Sequence, residues 1–263
     1  MCLVLVGLDA HPEYALIIAA NRDEFYDRPT SSAEFWADAP SVLAGRDLKA
    51  GGSWLGIDRR GRFAAVTNYR QGRREHPGAR SRGQLVSDFL TTDVSAVEHM
   101  ERARREAGTY NGFNLLAFDS GGLFYFSNRA GQIRRLSGGV YGLSNHLLDT
   151  PWPKVIVGKG ALDRLLRDAA SDLTSELFAL LLDCRRLPDA LLPSTGIGPE
   201  WERLLSSAFI VSESYGTRSS TVVLVGRDGS VLFVERIFGP GGVPGSEAQF
   251  EFQIEPSSIR DDR

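Results

Sequence analysis

A cysteine at position 2 and four consecutive polar residues, Asn21-Arg22-Asp23-Glu24, are the groups in this chain best suited to do chemistry. The small side chain of Cys2 suits removal of the initiator methionine, which leaves a chain beginning with a thiol and a free α-amine. The amine has a reference pKa of ~7.7–8.0 and the thiol one of ~8.5, so the amine can take the thiol proton directly or through water. Nucleophile and base then come from one residue, the N-terminal-nucleophile arrangement. A nearby Arg22 would favour the thiolate, and Asp23 could hold the ammonium or the guanidinium in place. The competing reading of Cys2 is a buried structural thiol on a core strand.

Three further stretches could serve the same chemistry. Val66-Thr67-Asn68-Tyr69-Arg70 and Tyr141-Gly142-Leu143-Ser144-Asn145 each end a strand with Asn, which strands disfavour. The amides of Asn68 and Asn145 would donate to a developing oxyanion, although turn chemistry accounts for either Asn alone. Arg218 stands just before an apolar run, where it could lower the Cys2 pKa, clamp a substrate carboxylate, or form a surface ion pair of little consequence. Trp54, in Gly51-Gly52-Ser53-Trp54-Leu55-Gly56, reads as a packing or pocket-wall residue at a tight turn, because that stretch lacks Walker-loop spacing. Asn21, Glu24, Tyr69, Arg70, His146 and Tyr215 complete the candidate binding set. The basic group Arg70, Arg73, Arg74, Arg80 and Arg82 reads as a solvated loop, with anion binding as the alternative. His11, His76, His99 and His146 show no metal-ligand spacing, and two cysteines leave no zinc or iron–sulfur set, so no metal and no required cofactor is expected.

The elements that must position these groups follow from the periodicity. Two apolar runs, 3–6 and 14–20, flank the turn residues Asp9-Ala10-His11-Pro12 and predict a hairpin whose outer ends bring Cys2 to the 21–24 cluster. Further hairpins are predicted for 54–57 with 63–68, 114–118 with 123–127, and 219–225 with 230–236. Short strands are predicted at 132–136, 140–144 and 207–211. Helical spacing predicts helices over 84–90, 94–107, 154–169 and 173–184, the last with Cys184 packed and inert at its end. Residues 25–43 read as an exposed loop, and 239–263 as a C-terminal tail after a single domain, 1–238. Antiparallel hairpins with helical blocks between them predict an α+β fold, two sheets face to face with helices outside each.

Composition narrows the function classes. The 263 residues are 42% hydrophobic and 24% charged, with Lys+Arg 30 against Asp+Glu 33 and a net charge of −3. Such a balance suits a globular protein and argues against a duplex nucleic-acid partner, which would call for a basic chain. No apolar run approaches the ~18 residues of a membrane span, and the first run lacks the basic flank of a secretory signal, so a cytoplasmic location is expected. Oligomeric state is not legible.

Taken in order, Met1-Cys2, Asn21-Arg22-Asp23-Glu24, residues 51–56, Thr67-Asn68-Tyr69-Arg70, Ser81-Arg82-Gly83, residues 110–114, Ser144-Asn145 and Tyr215-Gly216-Thr217-Arg218 resemble the NRDE family. That family includes the transport and Golgi organization protein 2 homologues. More distantly the arrangement is similar to the choloylglycine hydrolase and penicillin V acylase group, N-terminal-nucleophile enzymes that cleave amides. This resemblance implies an αββα four-layer sandwich, Cys2 as nucleophile, Asn68 and Asn145 as oxyanion-holding residues, and Arg218 as the late arginine. Those acylases space their Arg and Asp three apart, whereas Arg22 and Asp23 are adjacent here, which makes Glu24 the alternative carboxylate. The expected function is hydrolysis of a small non-peptide amide. The alternative is a non-catalytic carrier of haem or an acyl-type ligand, with Cys2 or His146 as the axial group.

Overall fold

The computed structural model describes residues 2–72, 75–168 and 172–255. The first hairpin forms as its two apolar runs require: β1 (Cys2–Leu8) and β2 (Tyr14–Phe25) pair antiparallel in a register that sets Cys2 opposite Arg22. β3 (Thr30–Trp36), β4 (Ala39–Asp47), β5 (Leu55–Asp58), β6 (Phe63–Asn68), β7 (Phe113–Asp119), β8 (Gly122–Ser127) and β9 (Ile133–Arg135) follow one another across a seven-stranded sheet. β10 (Gly139–Leu143), β11 (Tyr215–Gly226), β12 (Ser230–Phe238) and β13 (Pro244–Gln253) join the first hairpin in a six-stranded sheet of order β10-β1-β2-β11-β12-β13. The named strand pairs are antiparallel throughout.

Burial on both faces of the sheet explains why residues 3–6 of β1 and 14–20 of β2 are apolar at successive positions, since period-two alternation sends neighbours to opposite sides. Val4, Val6, Leu16 and Ile18 fill the space between the sheets with Ile57, Phe63, Leu116 and Val223. Leu3, Leu5, Ile17 and Ala19 face the other way, onto α3 (Pro153–Arg167) and α4 (Leu173–Leu181), through Val155, Leu162, Leu177 and Phe178. The seven-stranded sheet is covered likewise by α1 (Gly83–Leu90) and α2 (Ala96–Arg105), where Val42, Ala64 and Phe113 meet Leu85, Phe89 and Met100. The result is the expected αββα layering, with an apolar core between the sheets and one beneath each helical layer, whose buried large side chains each contribute ~1.5–3 kcal/mol. α2 starts where its sequence says it should, at a reciprocal Ser95–Glu98 capping box. Gly142 lets α3 lie close on β10: a Cβ there would stand 2.7 Å from Val155 Cγ1.

Several elements depart from the sequence reading. Residues 25–43 are not a loop but hold β3 and the start of β4; register shifts at Ser31/Glu34 and Phe35/Trp36 break the alternation that would have revealed them. Residues 207–211 are not a strand. They form an irregular segment, buried over 207–210 and exposed at Val211, held by Phe209 N–H to Asp183 O (2.9 Å) and Thr217 N–H to Ile210 O (2.9 Å), a case where a short apolar run does not reveal its type. A fifth helix, α5 (Pro199–Leu204), precedes it. The stretch read as a tail carries β13, paired along β12, while 256–263 lie outside the described residues. Cys184 is exposed rather than packed, because α4 ends at Leu181.

Candidate active site

The N-terminal hairpin delivers Cys2 and the polar quartet to one end of the six-stranded sheet, and β11 completes the place. Asp23 is opposite Thr217 and Arg22 is opposite Ser219, so Arg218 is the extra residue of a β-bulge. Such a bulge re-aims side chains at a sheet end. Between this corner and the seven-stranded sheet lies a cleft of about 610 Å³ whose wall includes Cys2, Arg22, Asp23, Glu24, Trp54 and Asn68. Six of the residues singled out from sequence therefore meet there.

Cys2 is half-buried, and Ser144 Oγ–H fixes its strand by donating to the Cys2 carbonyl at 3.0 Å. Burial pushes its thiol above the ordinary value; the Asp23 backbone N–H and the Arg22 guanidinium pull the other way. Arg22, 6% exposed, stacks with Cζ 4.1 Å from the Trp54 ring centre and makes no hydrogen bond or ion pair among the described residues. The other arginines on the wall are engaged: Arg28 with Asp47 at 2.6 Å, Arg82 with Glu75 at 2.7 Å, and Arg80 with Glu106. Arg22 is thus a desolvated cation beside the thiol, suited to a thiolate or to a substrate's developing negative charge. Asp23 is buried, its Oδ1 accepting from Thr217 Oγ–H (2.7 Å) and its carbonyl from the Tyr215 hydroxyl (3.1 Å). Burial raises its carboxyl, against the pull of Lys154, Thr217 and Arg70.

The remaining candidates stand around the cleft rather than on its wall. Asn145 is fully buried; its Nδ2 donates to the Asn68 carbonyl at 3.0 Å, and its own carbonyl accepts from Arg70 N–H at 2.6 Å. It ties the ends of β6 and β10 together and thereby places Asn68. Arg218 donates to the carbonyls of Phe25 (3.1 Å) and Arg28, pinning the turn after β2. Asn21 lies on the helix-facing side, where Nδ2 donates to Leu181 O and Ala208 O, each at 2.8 Å. Arg70 is no solvated loop residue: it is buried, paired with Glu202 at 2.8 Å and stacked 4.6 Å from Trp152. Arg73 and Arg74 lie outside the described residues. Tyr69 OH meets His146 Nε2 at 2.7 Å and Thr150 Oγ1 meets Nδ1 at 2.8 Å, so both ring nitrogens are hydrogen-bonded. Among the described residues no group of three His, Cys, Asp or Glu could hold a metal, and no helix is long and apolar enough to cross a membrane.

Sequence reasoning passed over Ser144, Thr217 and Lys154. The first two stand inside stretches already noticed, one place from the residue chosen. Lys154 shares a buried stripe with Gly158 and Leu162, a spacing of four that puts it on the sheet-facing side of α3.

The chain is 42% identical over 261 residues to the Transport and Golgi organization protein 2 homolog of Bos taurus, covering 90% of this chain and 92% of that one. The mouse homologue is 40% identical over 256 residues with the same coverage, and the Drosophila melanogaster protein 30% over 263, covering 89% and 91%. Among solved structures, a Caenorhabditis elegans N-acylethanolamine-hydrolyzing acid amidase ortholog is similar with TM-score 0.47 and 11% identity, over 85% of this chain and 92% of that one. A C2A mutant of conjugated bile acid hydrolase from Clostridium perfringens gives TM-score 0.46 and 10% identity, over 95% and 92%. The sequence profile of one family matches residues 1–240. The chain belongs to that family, Transport and Golgi organisation 2.

Proposed function

We propose that this protein is an N-terminal-nucleophile amidohydrolase acting on a small, polar, non-peptide amide through Cys2. The observation that carries the reading is the register of the first hairpin. It sets Cys2 opposite a desolvated Arg22 that makes no hydrogen bond or ion pair among the described residues, with Asp23, Glu24, Trp54 and Asn68 on the wall of the same cleft.

In this scheme the initiator methionine is removed and the Cys2 amine takes the thiol proton. The thiolate attacks the amide carbonyl carbon, and the resulting oxyanion accepts from the Asn68 amide and backbone N–H groups. Arg22 stabilises the negative charge on sulfur before attack, and Asp23 holds the α-ammonium. The tetrahedral intermediate collapses by breaking the C–N bond, and the ammonium protonates the departing amine. The thioester left on Cys2 is cleaved by a water that gives its proton to the same α-amine, releasing the acid and restoring the thiol. One water is consumed per amide, and no other reactant is needed.

The test is turnover of a panel of N-acyl amides by the unmodified chain and by Cys2→Ala. Hydrolysis that disappears in the variant supports the scheme; equal hydrolysis by both overturns it. A chain that binds an amide stoichiometrically and never releases acid would be a carrier using the same cleft.

A further inference from the structure

Behind the cleft, on the helix-facing side of the six-stranded sheet, a second set of ionisable groups surrounds Asp23. Tyr215 and Thr217 bond it from β11, and the charges of Arg70, in the segment after β6, and Lys154, in the first turn of α3, act on its carboxyl. Arg70 is held by Glu202 and by the face of Trp152. Glu202 is in turn fully engaged, its second oxygen accepting from the backbone N–H and hydroxyl of Thr195 at 2.7 and 2.6 Å.

Lys154 has no such arrangement. It is 6% exposed, and among the described residues its Nζ has no hydrogen-bond partner and forms no ion pair. It stands at the end of α3 where the helix dipole is positive, and beside a second cation, Arg70. Helix packing does not require it, because Val155, Gly158 and Leu162 already supply the contact with the sheet. A buried ammonium placed against two positive potentials is a poor choice for stability, and an apolar residue of similar length would serve the fold better. Its favourable electrostatic partners are Asp23 and Cys2.

We propose that Lys154 is a positioning residue for Cys2, its buried ammonium serving as the counter-charge to Asp23 so that Asp23 holds the Cys2 α-amine beside the thiol. The proposal rests on the reading of Cys2 as an N-terminal nucleophile. Burial drives the Asp23 carboxyl up, and Lys154 leads the influences that oppose this. Burial brings Lys154 itself down to about 8, with Asp23 and Cys2 holding it up and Arg70 pushing it further down. On its outer side Lys154 lines a groove of about 640 Å³ between α3 and α4, whose charged groups are Arg164, Asp168, Glu176, Asp183, Arg185 and Arg186. Asp183 is bound by Arg185. The support of Asp23 therefore persists while Lys154 is charged and fades as pH rises through about 8.

The experiment reads the charge on Cys2 without asking for turnover. In a Cys184→Ser background Cys2 is the sole thiol, and its alkylation by iodoacetamide is followed from pH 6 to pH 10. Lys154→Met should slow alkylation at pH 7 by about tenfold, the equivalent of one pKa unit, and move the midpoint upward. Lys154→Arg, which keeps the charge, should return the rate to within about threefold. Lys154→Gln gives the same reading should the Met variant fail to show a cooperative unfolding transition. A profile for Met or Gln that superimposes on the background, or an Arg variant as slow as the neutral ones, overturns the proposal. A chain with no amidase activity can still pass or fail this test, so it is decided apart from the hydrolytic reading.

Discussion

Replacing Asn21 by Ala separates the parts of the Asn-Arg-Asp-Glu quartet. Asn21 is 1% exposed and sits in β2 with its side chain turned toward α4, away from the cleft. Its Nδ2 donates to Leu181 O and Ala208 O at 2.8 Å each, and its Oδ1 accepts from Ser220 Oγ–H at 2.6 Å. Those bonds join the end of α4, the irregular segment at 208 and strand β11 to one side chain. Asn21→Ala leaves two carbonyls and a hydroxyl in the interior without their partner. An unsatisfied buried group costs ~1–3 kcal/mol, and the hydroxyl can rotate away, so the total is about 3–5 kcal/mol. Equilibrium urea unfolding followed by tryptophan fluorescence should show this as a lower midpoint at unchanged slope. Under native conditions the folded variant should alkylate Cys2 at a rate within about twofold of the unmodified chain. A loss below about 1 kcal/mol, or an unchanged melt with altered thiol reactivity, would refute the structural role and put Asn21 back among the binding groups.

Two buried groups predict opposite pH dependences of stability. Glu235 is 1% exposed, accepts from Ala33 N–H at 2.6 Å, and is pushed by burial to about 7 from 4.5. A carboxyl raised on folding stabilises fully below its unfolded value, so its contribution should fall by about 3 kcal/mol between pH 4.5 and 7 and vanish in Glu235→Gln. His99 is 3% exposed, with Nε2 2.8 Å from Leu85 O, and burial lowers it to about 4 from 6.5. Its neutral form is favoured on folding, so about 3 kcal/mol present above pH 6.5 should be lost as pH falls toward 4, and His99→Gln should flatten that limb. Urea midpoints measured at half-unit pH steps decide both; a variant that tracks the unmodified chain throughout would contradict its assignment.

The layering was legible because the signals that produce it are local. Asp9-Ala10-His11-Pro12 between two apolar runs predicts the hairpin that sets Cys2 against Arg22, and helical spacing predicts α1 to α4. What was not legible has identifiable causes. β3 and β4 are hidden by two register shifts, and β13 by a Gly/Pro-rich opening followed by the edge-strand alternation of Gln249, Phe250, Glu251 and Phe252. For the site, strand ends could be located but not the side a polar residue takes. Asn21 and Arg22 are adjacent, so alternation sends one to the helices and the other to the cleft. The bulge at Arg218 decides where its guanidinium goes, and no spacing rule predicts a bulge there. Lys154 was passed over because a Lys in a helix usually reads as solvated, and only the packing of α3 on β10 buries it.

Self-activation requires the thiol and a free α-amine to belong to the same residue. The intact mass of the purified protein tests this directly. The expected result is a mass lower than the encoded chain by one methionine residue, with Cys2 first in the N-terminal peptide. A mass that retains Met1 in protein active on an amide would contradict self-activation by Cys2.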